Sequence, residues 1–186
     1  MAQNIWHENL IYDPTKFTND WIILKLDIPL DFNEDVYSAC LPLSSDWSPE
    51  IDPNNRCFVS GWGHLEFEGY SPDNLQWVEI PAVNNEICRR SYGNFTISDD
   101  MICAGYVEGG KGSCQGDSGG PLVCLSGDNA VLTGIVSFGI GCAWQGYYGV
   151  YARVTKILDW VQSNIVCLVP KYFITTVGTV LTACHN

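Results

Sequence analysis

Short apolar runs separated by turn residues constrain the fold of this 186-residue chain more than any other feature. Each run has the length of a β-strand, and one stretch, residues 155–165, instead shows helical periodicity with Thr155 as its expected N-cap. Clusters of Gly, Pro, Asn and Asp separate the runs, as is typical of tight turns. The pattern predicts an all-β barrel or sandwich that ends in a helix. The predicted strands are 21–26, 57–60, 121–125, 131–137 and 149–154.

Nine cysteines are scattered singly along the chain. None forms a Cys-x-x-Cys pair, and none has the spacing of a zinc site. Single cysteines in a strand-rich chain are typical of a disulfide framework formed in an oxidising compartment. The N-terminal residues nevertheless lack the basic and apolar regions of a signal peptide. We therefore expect an extracellular or secretory-pathway protein whose mature domain does not naturally begin at Met1.

The charge balance excludes one class of partner and the apolar content excludes disorder. Nine basic and 21 acidic residues give a formal net charge of −12, which argues against binding to nucleic acid. Apolar residues make up 46% of the chain, enough for a buried core. Residues 166–186 are largely apolar but interrupted by Pro170 and Lys171. We therefore expect a frayed extension there and not a membrane anchor.

The strongest chemical signal is the string Cys-Gln-Gly-Asp-Ser-Gly-Gly-Pro at 114–121. A serine among glycines lies on a turn where backbone N–H groups can converge on a developing oxyanion. A nucleophilic serine also needs a histidine base that a carboxylate orients. A glycine-rich turn alone has a plain structural interpretation, but the complete eight-residue string is far more specific.

Seven further segments occur in an order that supports a resemblance. They are 19–26, 39–42, 57–63, 101–105, 137–139, 149–151 and 159–161. Together with the serine motif, they make residues 1–165 similar to the chymotrypsin/trypsin-type serine endopeptidase family. The resemblance implies a chymotrypsin-like double Greek-key β-barrel with a C-terminal helix. The second barrel would be complete and the first only partial, with 166–186 as an unmatched tail.

The resemblance also implies a role for individual residues. Ser118 would be the nucleophile, the N–H groups of Gly116 and Ser118 would form the oxyanion hole, and Asp20 would orient the catalytic histidine. Ser137 would donate a hydrogen bond to Asp20. The implied disulfides are Cys57–Cys124, Cys88–Cys103 and Cys114–Cys142. Cys40 matches a position that tethers an upstream pro-segment and would have no partner in this chain. The mechanism needs no metal ion.

The catalytic histidine is missing from its expected place before Asp20. His7 lies there without the surrounding motif, and His64 is expected to be an exposed loop residue. The segment 181–186, Leu-Thr-Ala-Cys-His-Asn, resembles the family's histidine motif. His185 is therefore a remote candidate for the base, if the tail folds back as in a circular permutant; a chance similarity is the alternative.

Further residues bear on activity and specificity. Asp117 would pair with a new N-terminal amine after activation cleavage, so without that cation the turn should rearrange to a zymogen-like state. Gly112 stands where trypsin-like members have Asp, so the pocket base is uncharged. Ser137, Phe138, Gly139 and Gly149 would complete a pocket for an apolar or aromatic side chain. Tyr148 points to a possible sodium ion.

These observations predict a serine endopeptidase acting on protein or peptide substrates, which is not competent as this chain because the triad histidine and the activation N-terminus are absent. The predicted alternative is a non-catalytic, protease-like binding module or a truncated product. Asn94-Phe95-Thr96 is an N-glycosylation sequon and predicts a glycoprotein.

Overall fold

The computed structural model describes residues 2–5, 12–45, 47–93, 97–166, 173–175 and 179–182. Twelve strands, two α-helices and one 3-10 helix make up the secondary structure of these residues. The strands are β1 (Ala2–Ile5), β2 (Ile23–Leu26), β3 (Ser38–Cys40), β4 (Cys57–Gly61), β5 (Gln76–Ile80), β6 (Ala82–Val83), β7 (Met101–Ala104), β8 (Pro121–Ser126), β9 (Asn129–Phe138), β10 (Gly149–Arg153), β11 (Phe173–Thr175) and β12 (Thr179–Thr182). The helices are the 3-10 turn Pro49–Ile51, α1 (Asn85–Tyr92) and α2 (Val154–Val166).

Strands β4 to β10 form a barrel. β5 pairs with β4, β4 with β8, β8 with β9, β9 with β10, and β10 with β7. β6 pairs with β7 and is separated from β5 by Pro81 alone, so one bent segment contacts both ends of the sheet and closes it. The fold is therefore the all-β barrel that the sequence predicted.

Alternating side chains of these strands fill the barrel. Cys57 and Val59 of β4 are buried, whereas the intervening Phe58 is half-buried, as the period of two along a strand requires. The interior side chains belong to Cys57, Val59, Ile80, Ala82, Ile102, Ala104, Leu122, Cys124, Val136 and Tyr151. Gly134 admits the large Tyr151, because a Cβ at that position would lie 2.8 Å from the Tyr151 Cβ.

Strands from both halves of the chain form the rest of the sheet, in the order β1-β2-β11-β12-β3-β9. The hairpin β11–β12 lies between two strands that precede it by more than a hundred residues: β11 is antiparallel to β2, and β12 is parallel to β3. No strand is predicted from the sequence in the segment 166–186. Helix α2 packs its Ile157, Leu158 and Val161 against this region.

Of the two α-helices, the sequence predicts α2 but not α1. α2 begins at Val154, directly after β10, so the expected N-cap Thr155 is wrong and lies in the first turn of the helix. Helix α1 was not anticipated, although Asn84 accepts a hydrogen bond from the Glu86 N–H as an N-cap does, and Gly93 ends the helix. Within the described residues, neither helix has the length and apolar content that a membrane crossing requires.

All three expected disulfides form: Cys57–Cys124, Cys88–Cys103 and Cys114–Cys142. Cys40 is disulfide-bonded as well. This finding corrects the expectation that Cys40 has no partner in this chain, so its thiol is not available as a tether for an upstream segment. Cys167 and Cys184 lie outside the described residues.

A buried ion pair joins the barrel to the 3-10 turn. Arg153 Nη1 lies 2.6 Å from Glu50 Oε1, and the two side chains are 8% and 7% exposed. The same guanidinium donates to the Met101 carbonyl and to Asn85 Oδ1. Arg153 thus fastens the start of α1, β7 and the 3-10 turn to the junction between β10 and α2.

Replacing Arg153 with Met should lower the free energy of unfolding by about 3–5 kcal/mol, because Glu50 would be left as a buried, unpaired charge. The double variant Arg153→Met with Glu50→Leu should recover part of that loss, since both charges are then removed. Urea unfolding of the three proteins measures the difference. Equal stability of the wild type and Arg153→Met would show that the pair contributes nothing.

Candidate active site

A tight turn between β7 and β8 presents Ser118. Gly116 has a φ of +96°, and a Cβ there would lie 3.2 Å from the Gly63 Cα, so the turn requires glycine for both its conformation and its packing. The Cys114–Cys142 bridge holds one end of the turn. At the other end, the Gly119 N–H donates to the Val136 carbonyl. Ser118 is left exposed at the surface of the cleft.

The backbone amides of this turn fall into two groups. Those of Asp117, Gly119 and Gly120 donate to backbone carbonyls. In the part of the chain that the structure describes, the N–H groups of Gly116 and Ser118 make no such bond. These two are the donors expected to form the oxyanion hole, and their hydrogen-bonding capacity is unused.

Asp20 reaches the same cleft from the other half of the structure. It precedes β2, and its Oδ2 accepts a hydrogen bond of 2.5 Å from the Ser137 hydroxyl. Ser137 lies near the end of β9 and lines the same cavity as Ser118. The structure therefore brings together Asp20, Ser137 and Ser118, which are far apart in sequence, as predicted.

The carboxylate of Asp117 is turned away from this cavity. Its Oδ1 accepts from the Gly63 N–H at 2.8 Å, and its Oδ2 accepts from the Cys114 N–H at 2.9 Å. A Cβ on either Gly61 or Gly63 would overlap the carboxylate, so the carboxylate can occupy this space only while both residues are glycine. Asp117 is half-buried and has two amide donors, which offset much of the desolvation cost expected for it without a cation.

Asp117 also lines a second cavity of about 190 Å³, on the far side of the serine turn. His64 lies in this cavity and not beside Ser118. Its side chain is half-buried, with Nδ1 fully enclosed, which corrects the expectation of an exposed loop residue. Its backbone N–H donates to the Gln115 carbonyl at 2.8 Å, and this bond draws the chain after Gly63 onto the serine turn.

The base of the triad is not found among the described residues. His7 and His185 both lie outside them, so the role of His185 stays a prediction. Strand β12 runs parallel to β3. Its Leu181 pairs with Phe173 of β11, and Phe173 in turn pairs with Lys25 of β2. From Leu181 to Thr182 the strand runs in the direction of β2, away from Asp20.

The cavity beside Ser118 has a volume of about 210 Å³. Ser137, Phe138, Gly139 and Gly149 line it, as predicted, but Gly112 lines the second cavity instead. The reason is the course of the backbone, which passes Gly112 between the two cavities, with its Cβ position 3.2 Å from the Ala143 Cβ. Among the described residues, no Asp, Glu, Lys or Arg lines the cavity beside Ser118.

Sequence reasoning missed several residues of this cavity. They are Phe67, Ser113, Gln115, Ile140, Ala143 and Tyr147. Gln115 lies within the serine motif and Ser113 directly precedes it, so their closeness to Ser118 in sequence could have indicated them. Phe67 follows no motif, because it reaches the cavity only through the fold of the loop after β4.

An aromatic cluster supports the cavity from behind. The Phe138 ring stacks on Phe17 with centroids 4.8 Å apart, and Tyr92 packs edge-on against both Phe138 and Tyr147. The Tyr92 hydroxyl donates to the Tyr148 carbonyl at 2.5 Å. Burial raises the pKa of Tyr92 to about 12. The sodium ion considered near Tyr148 stays a prediction, and the sequon at Asn94 lies outside the described residues.

A family model described as Trypsin matches residues 1–161. The chain belongs to the trypsin family. It is 45% identical over 166 residues to Trypsin-1 of Astacus astacus and 41% identical over 155 residues to Trypsin II-P29 of Gallus gallus. It is also 42% identical over 163 residues to Transmembrane protease serine 11G of Mus musculus. These matches cover 89%, 83% and 86% of this chain, but 67%, 58% and 38% of the relatives.

Membership of the trypsin family fits the geometry of the site. Trypsin-family proteases are serine hydrolases that act on proteins, and the serine turn, the Asp20–Ser137 bond and the three disulfides agree with that chemistry. The family itself was therefore correctly identified from the sequence.

The buried Tyr151 should make the fold sensitive to alkaline pH. Burial raises its pKa to about 12, Ser113 lowers it through a hydrogen bond, and Asp117 raises it. Because the folded pKa exceeds the ordinary tyrosine value of about 10, the neutral phenol stabilises the fold below pH 10 and that contribution is lost between pH 10 and 12. Tyr151→Phe should lose roughly 2–3 kcal/mol less stability across this interval than the wild type. Urea unfolding at pH 9 and 11.5 tests this, and parallel losses in both proteins would contradict it.

Proposed function

We propose that this chain is the catalytic part of a serine endopeptidase with an apolar primary pocket. The observation that carries the proposal is the cavity beside Ser118, which has no charged residue among its described lining and lies next to the Asp20–Ser137 pair. The reaction is peptide-bond hydrolysis through an acyl-enzyme.

Each residue of the cleft has a role in this reaction. The Ser118 hydroxyl oxygen attacks the scissile carbonyl carbon and loses its proton to a histidine base. The amides of Gly116 and Ser118 donate to the oxyanion that forms. Asp20 holds the base in the correct tautomer and stabilises its protonated form, while the Ser137 hydroxyl fixes the Asp20 carboxylate at one oxygen.

The primary pocket supports cleavage after a large apolar or aromatic residue. Val136, Phe138, Ile140 and Tyr147 are among its apolar lining residues. A substrate's charged side chain would find no opposite charge there, so its desolvation would be uncompensated. An apolar side chain gains on the order of 25 cal/mol for each Å² that it buries.

The alternative function is a non-catalytic binding module with the same pocket. Asp117 favours this alternative, because two backbone amides hold its carboxylate in place of a cationic partner. In that case the pocket would bind an apolar peptide side chain without cleaving the peptide.

We also propose that the protein acts in an extracellular or secretory compartment. The support comes from the disulfides, since such bonds persist in oxidising compartments and are rare in reducing ones. Its partners would be protein or peptide substrates.

A fluorophosphonate probe should label Ser118 if the nucleophile is activated, because the probe reacts with an activated serine and mimics the acyl-enzyme. Mass spectrometry should locate the label on the peptide that contains Ser118, and Ser118→Ala should abolish it. Ser163→Ala, which alters an exposed serine of α2, is the matched control and should label like the wild type. A protein that binds an apolar peptide side chain in the pocket but is not labelled by the fluorophosphonate probe is the non-catalytic module.

The histidine that serves as base can be found with the same probe. Loss of labelling in His185→Ala but not in His64→Ala would assign the base to the C-terminal segment. His64→Ala is the matched control because His64 lines the second cavity and not that of Ser118. Full labelling of both variants would exclude both residues as the base.

A carboxylate at position 112 should convert the pocket to one that binds a basic side chain. Gly112 lines the second cavity, but its Cβ position lies 3.2 Å from the Cβ of Ala143, a lining residue of the primary pocket, so the carboxylate of Gly112→Asp would lie beside that pocket. The variant should bind benzamidine at least about tenfold more tightly than the wild type, which an added charge pair of about 1.4 kcal/mol would produce. Calorimetric titration measures this. Gly112→Asn has the same shape without the charge, and equal affinity of the Asp and Asn variants would refute the effect.

A further inference from the structure

We propose that Phe67, backed by Trp144, gives the primary pocket an aromatic wall that selects an aromatic side chain over an aliphatic one. This inference rests on the proposed function, since it names the substrate class more closely. Neither residue belongs to a motif that the sequence indicated.

The aromatic wall is a ring pair in which Phe67 lines the pocket and Trp144 packs against Phe67. The Phe67 and Trp144 rings meet edge-on, with centroids 5.3 Å apart and an interplanar angle of 63°. Phe67 is 41% exposed and Trp144 is 49% exposed. Phe67 lines the cavity that contains Ser118, so part of its ring faces the space that a substrate side chain would fill.

Gln115 fixes the loop that carries Phe67. The Glu68 N–H donates to Gln115 Oε1 at 2.7 Å, and the His64 N–H donates to the Gln115 carbonyl. Gln115 itself lines the pocket, three residues before Ser118. The two bonds flank Phe67, so its position is coupled directly to the turn that presents the nucleophile.

Trp144 is held in place by a second segment that also lines the pocket. Its indole ring packs on Gly141, where a Cβ would overlap the ring and where φ is +65°, so the position requires glycine. Gly141 lines the pocket and precedes Cys142, which is bridged to Cys114 of the serine turn. Both halves of the aromatic wall are therefore anchored to segments that line the cavity.

The shape of the pocket suits a planar ring. Phe138 and Tyr147 contribute further rings to the cavity that Phe67 lines. A substrate's aromatic ring can meet these rings in edge-to-face contacts, which add to the energy of burial, whereas an aliphatic side chain gains burial only. The exposed ring pair would also lose water contact when such a side chain enters.

The test compares two small ligands, N-acetyl-4-fluorophenylalanine amide and N-acetylleucine amide, by calorimetric titration against the whole chain. Phe67→Ala should weaken binding of the aromatic amide about five- to tenfold and that of the leucine amide by less than about twofold. Trp144→Ala should have a similar effect. In the double variant, the loss of affinity for the aromatic amide should be well below the product of the two single losses, because the rings act as a unit. Phe67→Leu, which keeps an apolar side chain, should lose the preference for the aromatic amide.

The matched control is Phe32→Ala. Phe32 is also an exposed ring, 36% accessible, paired with Tyr37 at a centroid distance of 5.7 Å. It does not line the pocket, so the affinities for both amides should be unchanged. An unchanged ratio of the two affinities in Phe67→Ala would refute the aromatic wall while leaving the proposed function intact. A wild type that binds neither amide would instead refute the apolar primary pocket.

Discussion

Closure of the second barrel by one bent strand is the constraint on which the site depends. The segment from Gln76 to Val83 pairs with β4 before Pro81 and with β7 after it, so every strand between them has a fixed register. β8 begins three residues after Ser118, and β9 ends at Phe138. The position of the nucleophile and of the pocket wall therefore depends on barrel closure as well as on the local conformation of the serine turn.

The carboxylate of Asp117 determines the shape of the serine turn. Buried charge normally calls for an opposite charge, yet here two backbone amides meet it. The glycines at 61 and 63 make this possible, because they leave the space in which the carboxylate lies. The turn is thus stabilised by hydrogen bonds from two different loops, which also leave the Gly116 and Ser118 amides unused.

Much of this arrangement could be predicted from the sequence, because it follows from motifs with a physical requirement. The serine string needs its glycines, and the strands at 57–60, 121–125 and 149–154 lie within one residue of β4, β8 and β10. Phe67 and Trp144 could not be predicted, because a contact between two loops depends on long-range packing. Helix α1 was missed because its apolar residues are few, and the hairpin β11–β12 because its partners lie far away in sequence.

The place of the C-terminal hairpin has a consequence for how the protein folds. Val180 pairs with Ser38 across about 140 residues, and β11 pairs with β2 over a similar span. During synthesis, β2 and β3 lack β11 and β12 as pairing partners until the whole second barrel has been synthesised. That barrel has its complete set of strands by Arg153 and can form first. Contacts at such separation slow folding, so the last step would be docking of the hairpin into a gap kept open beside a finished barrel.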